Sequence, residues 1–162
     1  MQIAILSDTH MPRGARMLPP ACLEICRGAD AILHAGDLID VAVLELLRAL
    51  GPPVHAIHGN VDSGAVRRLL APRVQVTLAG VRVGMLHDPG RVAGRVARLH
   101  AAFPHCEAVV FGHTHMPEHK ELDGFQIFNP GSPTERRRAP EHTMGRATVT
   151  GGAIAFELLA LG

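Results

Sequence analysis

The chain has 162 residues, 47% hydrophobic and 19% charged, a composition typical of one folded globular domain, here predicted to span residues 1–162. The net charge of +1 and the absence of Trp and Tyr disfavour a nucleic-acid surface, which needs a positive field and stacking rings. We expect a cytoplasmic location, because no apolar run approaches the roughly 18 residues of a membrane span and no charged leader precedes an apolar segment.

Short apolar runs alternate with longer amphipathic segments over the first two thirds of the chain. The apolar runs predict strands over 3–6, 31–33, 54–57, 74–78, 81–86 and 108–111. The amphipathic segments predict helices over 20–28, 41–50, 63–70 and 92–103. Asp40 and Asp62 each precede one of these helices, so both are predicted to be N-caps.

The last third of the chain carries strand patterns alone. Strands are predicted over 119–122, 125–128, 146–149 and 154–158, with hairpin turns at Asp123-Gly124 and Gly151-Gly152. An α/β part followed by a β-rich tail predicts an α/β protein with two packed β-sheets flanked by helices.

Five of the predicted strands end at polar residues that lie beside glycine or proline. These residues are Asp8, His10, Asp37, Asn60, His87, His113 and His115. Ligands of α/β sheets bind beyond the carboxyl ends of the strands, so strands that share one sheet would bring the seven side chains together at one rim.

Imidazole, carboxylate and amide oxygen are ligands of borderline and hard divalent metals. Two adjacent cations repel, and Asp37 is the lone carboxylate in the middle of the set, so it is the natural bridge between them. We expect Gly36, Gly59 and Gly112 to let the backbone turn sharply beneath the metals.

These strand ends resemble the motifs of the calcineurin-like metallophosphoesterase superfamily. The matching segments are Asp8-Thr9-His10, Gly36-Asp37-Leu38-Ile39-Asp40, Gly59-Asn60-Val61-Asp62, His87-Asp88 and Gly112-His113-Thr114-His115. Their order is the family's, and the short chain is similar to the small bacterial and archaeal phosphodiesterase branch. The resemblance implies a four-layer α/β/β/α sandwich.

The resemblance also implies a role for each residue. Asp8, His10, Asp37 and His115 would hold a first divalent metal, and Asp37, Asn60, His87 and His113 a second. Asp37, Asn60 and His87 are the catalytic candidates, and a hydroxide bridging the metals would attack the phosphate ester. Mn²⁺ is the expected ion, with Zn²⁺, Fe²⁺ or Ni²⁺ as alternatives. The segment 129–132 is similar to a loop of the small branch near its site.

The sequence departs from the larger phosphatases of the family at Val61. Those phosphatases usually carry His at this position, where it can protonate the leaving group, so Val61 favours a phosphodiesterase over a monoesterase. Alternatively, Val61 serves core packing alone. Asp88 stands where Gly is common, and is either a tolerated variation or a carboxylate behind the metal ligands.

Plainer interpretations apply to several residues outside the motifs. His34 is predicted to be buried near the site, and His58 is either a substrate contact or a solvent-exposed residue. The run 136–138 is predicted to be a solvated arginine loop, with phosphate contact as the alternative. We expect His55, His100, His105, His119 and His142 at the surface. Cys22, Cys26 and Cys106 lack a zinc-finger spacing and are predicted to be reduced, partly buried thiols.

Two other functions compete with a phosphodiesterase. One is a non-catalytic binding scaffold like the eukaryotic retromer subunit, which belongs to the same branch of the family. The other is a nuclease or nucleotidase, which the near-neutral charge disfavours. The expected partner is a small phosphodiester or a nucleotide-like substrate, with no stable nucleic-acid partner and no membrane.

Overall fold

The computed structural model describes residues 1–162 as ten strands and four short helices. The strands are β1 (Gln2–Leu6), β2 (Ala31–His34), β3 (Val54–Ala56), β4 (Arg73–Leu78), β5 (Val81–Leu86), β6 (Ala108–Val110), β7 (Glu118–Leu122), β8 (Phe125–Asn129), β9 (Thr143–Thr150) and β10 (Ala153–Ala160). The helices are α1 (Pro20–Arg27), α2 (Val41–Arg48), α3 (Gly64–Leu69) and α4 (Arg95–Ala102). Every predicted element is present. The main difference is at α4, which begins three residues late, because Gly94 adopts a left-handed conformation and Val92 remains exposed.

The strands form two five-stranded mixed sheets, in the orders β10-β9-β1-β2-β3 and β4-β5-β6-β8-β7. Strands β1, β2 and β3 are parallel in the first sheet, and β5, β6 and β8 are parallel in the second. The β-rich tail does not form a sheet of its own. Its first hairpin extends the second sheet and its last hairpin extends the first, so the tail joins both halves of the fold.

Alternating side chains of each sheet face its partner sheet and the outer helices. Ile3 and Ile5 of β1 pack in the layer between the sheets with Val83 of β5 and Val110 of β6. Burial of this apolar layer is the main stabilising contribution to the fold. The predicted pair of packed sheets is confirmed.

The helices cover the outer faces of both sheets and complete the predicted four layers. Helix α1 places Cys22 and Cys26 against the first sheet, and α4 places Leu99 beside Phe103 on the second. A Cβ on Gly84 of β5 would meet the Phe103 ring at 2.5 Å, so only glycine allows this close packing. All three cysteines are free and buried. None of the four helices has the length and apolar character needed to cross a membrane.

The strands that carry the polar ends lie in two sheets, not in the single sheet considered from sequence. Strands β1, β2 and β3 lead to Asp8, Asp37 and Asn60, whereas β5 and β6 lead to His87 and His113. The two rims nevertheless meet, because the Asp8 Oδ2 atom accepts a hydrogen bond from the His113 backbone N–H at 3.0 Å. The candidate site therefore spans the seam between the sheets.

Candidate metal centre

The deepest part of the site is formed by Asp8, His10 and His115, which are at most 2% exposed. The Asp8 Oδ1 atom lies 3.4 Å from Nε2 of His115 and 3.8 Å from Nε2 of His10. The two imidazole rings meet edge to face, with centroids 4.8 Å apart. One carboxylate oxygen and two ring nitrogens therefore face a common point.

Asp37 lies between this buried group and His87. Its Oδ2 atom is 3.2 Å from Nε2 of His10 and 3.1 Å from Nε2 of His87. The Oδ1 atom of Asp8 is also 3.8 Å from the same His87 nitrogen. The structure thus gathers Asp8, Asp37 and His87 as a second potential ligand group.

Asn60 and His113 form the outer, solvent-facing side of the site. The Oδ1 atom of Asn60 lies 3.0 Å from Nδ1 of His113, and the His113 side chain is 40% exposed. The His113 ring meets the His87 ring edge to face at 5.3 Å. Arg67 donates a hydrogen bond to the Asn60 carbonyl at 2.6 Å, which fixes the loop. All seven residues selected from the sequence are therefore at one place, buried at one end and open at the other.

Three of these ligand atoms are buried and make no well-directed hydrogen bond, namely Asp8 Oδ1, His115 Nε2 and His87 Nε2, although the last lies 3.1 Å from Asp37 Oδ2. Buried polar atoms of folded proteins are almost always hydrogen-bonded, so a group of three without such bonds demands an explanation. A carboxylate oxygen and two imidazole nitrogens have the right chemistry to hold a divalent cation. The residues present fit a metal.

The opposite ring nitrogens of two histidines are fixed by main-chain carbonyls. Nδ1 of His87 lies 2.7 Å from the Ala35 oxygen, and Nδ1 of His115 lies 2.5 Å from the Glu135 oxygen. A carbonyl only accepts, so each Nδ1 carries the proton and donates it. Each Nε2 then presents a lone pair to the centre of the cluster, as metal binding requires.

The charges in the cluster depend on one another. Burial raises the pKa of Asp8, although His87 and His115 partly offset the effect. Burial also acts to raise the pKa of Asp37, but contacts with His10 and His87 hold it well below its ordinary range. Burial acts to lower the pKa of His87, which Asp37 and Asp8 nevertheless raise. These carboxylates need nearby positive charge, which protons or a cation would supply.

Similarity to known proteins agrees with this chemistry. The sequence model of the calcineurin-like phosphoesterase superfamily domain matches residues 1–152. This chain belongs to that superfamily. A probable metallophosphoesterase of Methanothermobacter thermautotrophicus is 34% identical over 140 residues, covering 85% of this chain and 80% of that protein. Phosphodiesterase YfcE of Escherichia coli K12 is 29% identical over 152 residues, covering 82% and 79%. The crystal structure of Vps29 from Chaetomium thermophilum has the same fold, with a TM-score of 0.79, 20% identity and coverage of 98% and 97%.

In this member of the superfamily, five of the seven site residues adopt left-handed backbone conformations. They are Asp8 (φ 55°), His10 (φ 45°), Asp37 (φ 60°), His113 (φ 70°) and His115 (φ 58°). Such conformations are uncommon for residues other than glycine and cluster at functional sites, where the surrounding structure enforces them. The site backbone therefore holds the ligand side chains in position through conformations that lower local stability.

The three glycines beside the ligands are all predicted to form sharp turns, but they do not share one role in the structure. Only Gly36 has a left-handed backbone, with φ 93°. A Cβ on Gly59 would overlap the carboxylate of Asp37, and one on Gly112 would overlap Ser7 beside Asp8. Gly59 and Gly112 therefore permit close approach of the ligand-bearing strand ends, and do not serve as turns.

Asp62 joins two loops of the site and is not the helix cap that its position in the sequence predicts. Its buried carboxylate accepts hydrogen bonds from the backbone N–H groups of Asp37 (2.9 Å), Ile39 (2.5 Å) and Gly59 (2.6 Å). Ser63 caps α3 in its place, while the predicted cap Asp40 is confirmed on α2. Asp62 thus ties the Asp37 loop to the loop of Asn60.

His34 is fully buried behind the site, as predicted. Its Nδ1 atom accepts a hydrogen bond from the Gly36 N–H at 3.3 Å, so the proton is on Nε2, which donates to the Thr9 hydroxyl at 3.2 Å. This arrangement fixes the neutral tautomer, and burial lowers the pKa of His34 from its ordinary value of 6.5 to about 4. His34 therefore connects the loops that follow β1 and β2 without adding charge.

We expect the metal-free protein to lose stability between pH 6.5 and 4, with His34 as one identifiable cause. Over this range the unfolded chain takes up a proton at His34 and the folded chain does not, so stability falls by up to roughly 3 kcal/mol. Urea unfolding in chelator at several pH values measures the slope. His34→Asn should have a shallower slope, and an equal slope in both proteins would show that His34 does not contribute.

His58, Val61 and Asp88 lie close to this centre. His58 is half-buried with Nδ1 3.1 Å from the Gly59 carbonyl, and Val61 is half-buried with its backbone N–H donating to Asp37 Oδ1 at 3.0 Å. Asp88 is exposed, with Oδ2 4.0 Å from His113 Nε2. The arginines of 136–138 are exposed, which agrees with both a solvated loop and contact with a phosphate. His100, His105 and His119 are exposed as predicted, whereas His55 and His142 are half-buried.

Proposed function

We propose that this chain is a two-metal phosphodiesterase. Asp8, His10, Asp37 and His115 would hold one divalent ion, and Asp37, Asn60, His87 and His113 the other. The observation that carries the proposal is the set of three buried ligand atoms without a well-directed hydrogen bond around Asp37, whose Oδ2 atom neighbours histidines of both sets. The membership of the superfamily and the name of the Escherichia coli relative support the same chemistry.

The division between a buried and an open side suits hydrolysis of an exchangeable substrate. Asp8, His10 and His115 are sequestered, which supports a firmly held first ion. Asn60 and His113 face solvent, so an ester phosphate can approach from their side. When bound, two divalent ions acidify a water molecule and neutralise charge on the phosphoryl oxygens.

The chain's own residues contribute mainly positioning. Asp37 is oriented by the backbone N–H of Val61 on Oδ1, which leaves Oδ2 directed at the histidines. His87 is oriented by the Ala35 carbonyl, and Asn60 by the anchored loop in which it lies. Asp37, Asn60 and His87 are accordingly the proposed catalytic residues, since phosphoryl transfer depends largely on positioning and electrostatics.

The mixed set of imidazole, carboxylate and amide ligands favours Mn²⁺, with Zn²⁺, Fe²⁺ or Ni²⁺ as other occupants. We expect chelator-stripped protein to be inactive and to recover activity as Mn²⁺ is restored, with two ions per chain at full activity. Metal analysis of the reconstituted protein and hydrolysis of bis(p-nitrophenyl) phosphate measure both quantities. Full activity with at most one ion per chain would contradict the two-metal proposal.

A binding scaffold of the same fold is the main competing function. The likeness to Vps29 concerns the fold alone, at 20% identity. Every one of the seven ligand positions here carries a residue that can bind a metal, which supports an enzyme. A screen of metal-loaded protein against phosphodiesters, phosphomonoesters and nucleotides separates the two functions. Turnover of a diester supports the enzyme, and no turnover of any ester would favour the scaffold.

A further inference from the structure

The loop after β8 is bound tightly to the loop that carries Asp8 and His10. The Ser132 hydroxyl donates a hydrogen bond to the Asp8 carbonyl at 2.8 Å and accepts one from the Glu135 N–H at 2.9 Å. Thr134 donates its hydroxyl proton to the Thr9 carbonyl at 2.6 Å. These bonds hold Glu135 at a fixed position beside the buried end of the site.

Glu135 contacts two of the proposed ligands from behind. Its Oε2 atom lies 2.6 Å from Nδ1 of His10, and its main-chain oxygen lies 2.5 Å from Nδ1 of His115. In both histidines the contacted nitrogen is Nδ1, whereas Nε2 faces Asp8. Glu135 therefore lies on the far side of the rings from the cluster, and it is not placed to bind the same ion itself.

The Glu135 carboxylate is itself held in place. Its Oε1 atom pairs with the Arg16 guanidinium at 3.1 Å, and its Oε2 atom is buried with no partner other than His10. The His87 Nδ1 atom, in contrast, faces only the neutral carbonyl of Ala35. The two proposed metal sites thus differ: the carboxylate behind His10 has a buried oxygen 2.6 Å from the ring, whereas the Asp88 carboxylate on the other side is exposed and lies 4.0 Å from Nε2 of His113.

We propose that Glu135 is a positioning residue for one metal only, the ion held by Asp8, His10 and His115. This inference rests on the proposed function. A carboxylate beside Nδ1 keeps the proton on that atom, fixes the ring and makes the opposite nitrogen a better ligand. The main-chain oxygen of the same residue does the same for His115. The loop after β8 therefore serves to tune the affinity of the buried metal site.

Calorimetric titration of chelator-stripped protein with Mn²⁺ tests this assignment. In Glu135→Ala we expect one of the two binding events to weaken by about 10–100-fold, while the other is unchanged. Glu135→Gln keeps an oxygen near His10 without the charge, so it should weaken the same event by less. Glu141→Ala, an exposed glutamate of the same loop without polar partners, is the matched control and should bind both ions normally. Thermal unfolding in chelator verifies that each variant folds.

The outcomes separate this inference from the proposed function. Two unaltered binding events in Glu135→Ala would overturn the positioning role and leave the two-metal proposal intact. Equal weakening of both events in both Glu135 variants would also overturn it, because the predicted effect is confined to one site. A wild-type protein that binds no Mn²⁺ would refute the proposed function, and the role of Glu135 with it.

Discussion

Asp37→Asn is expected to abolish phosphodiester hydrolysis while the protein remains folded. The Oδ2 atom of Asp37 lies 3.2 Å from His10 and 3.1 Å from His87, and its charge is proposed to be shared by both ions. Asparagine keeps the size of the side chain and an oxygen for the Val61 N–H. It removes the negative charge that both ions are proposed to share. We therefore expect activity to fall by more than about 10–100-fold, which is the typical effect of removing a group that only supports a metal ligand from behind.

The measurement is kcat/KM on an aryl phosphodiester at saturating Mn²⁺, together with circular dichroism. His105→Ala is the control, because this exposed histidine lies outside the site and its loss should leave activity unchanged. Near-normal activity of a folded Asp37→Asn protein would show that the assignment of the bridging residue is wrong.

An aryl phosphodiester is expected to be hydrolysed with a higher kcat/KM than the matching aryl monoester. Departure of a poor leaving group from a monoester benefits from a positioned acid, which is typically worth about 10²–10⁴-fold in rate. Val61 cannot donate a proton, and the nearby His58 has its Nδ1 atom at the Gly59 carbonyl. The same aryl group leaves from both matched esters, but the looser transition state of a monoester places more negative charge on the leaving oxygen, so the monoester needs such an acid more than the diester does.

Val61→His is expected to narrow this preference by raising monoesterase activity. The substitution changes a half-buried side chain and keeps the backbone N–H that donates to Asp37. Val61→Leu is the matched control, since it enlarges the side chain without adding a proton donor. The kcat/KM values of the unmodified protein and both variants on the matched diester and monoester show whether the preference narrows. A clear monoester preference of the unmodified protein would refute the argument from Val61, though not the metal assignment.

The ligand-bearing strand ends were predictable because their signal is local. An apolar run that stops at Asp8 or Asp37 beside a glycine identifies both the strand and its functional end. The fold class followed from the order of such segments. Which strand belongs to which sheet could not be predicted in this way, because the pairing of β9 with β1 joins residues from opposite ends of the chain.

The residues that organise the site were not predictable from local patterns. Asp62 precedes a helix and looks like a cap, but the backbone N–H groups of Asp37 and Gly59 compete for its carboxylate in the folded chain. Glu135 belongs to no motif, and its partner His10 lies near the other end of the sequence. Such roles depend on tertiary contacts. The spacing of apolar residues along a single sequence does not show which distant residues make them.

Crystals of the protein grown with Mn²⁺ and measured for anomalous scattering test the two-metal site most directly. We predict two peaks about 3.5–4 Å apart, one on each side of Asp37. The first should lie beside His115 and the second beside His113. A single peak, or peaks remote from the Asp37 carboxylate, would contradict the proposal that Asp37 joins two metal ions.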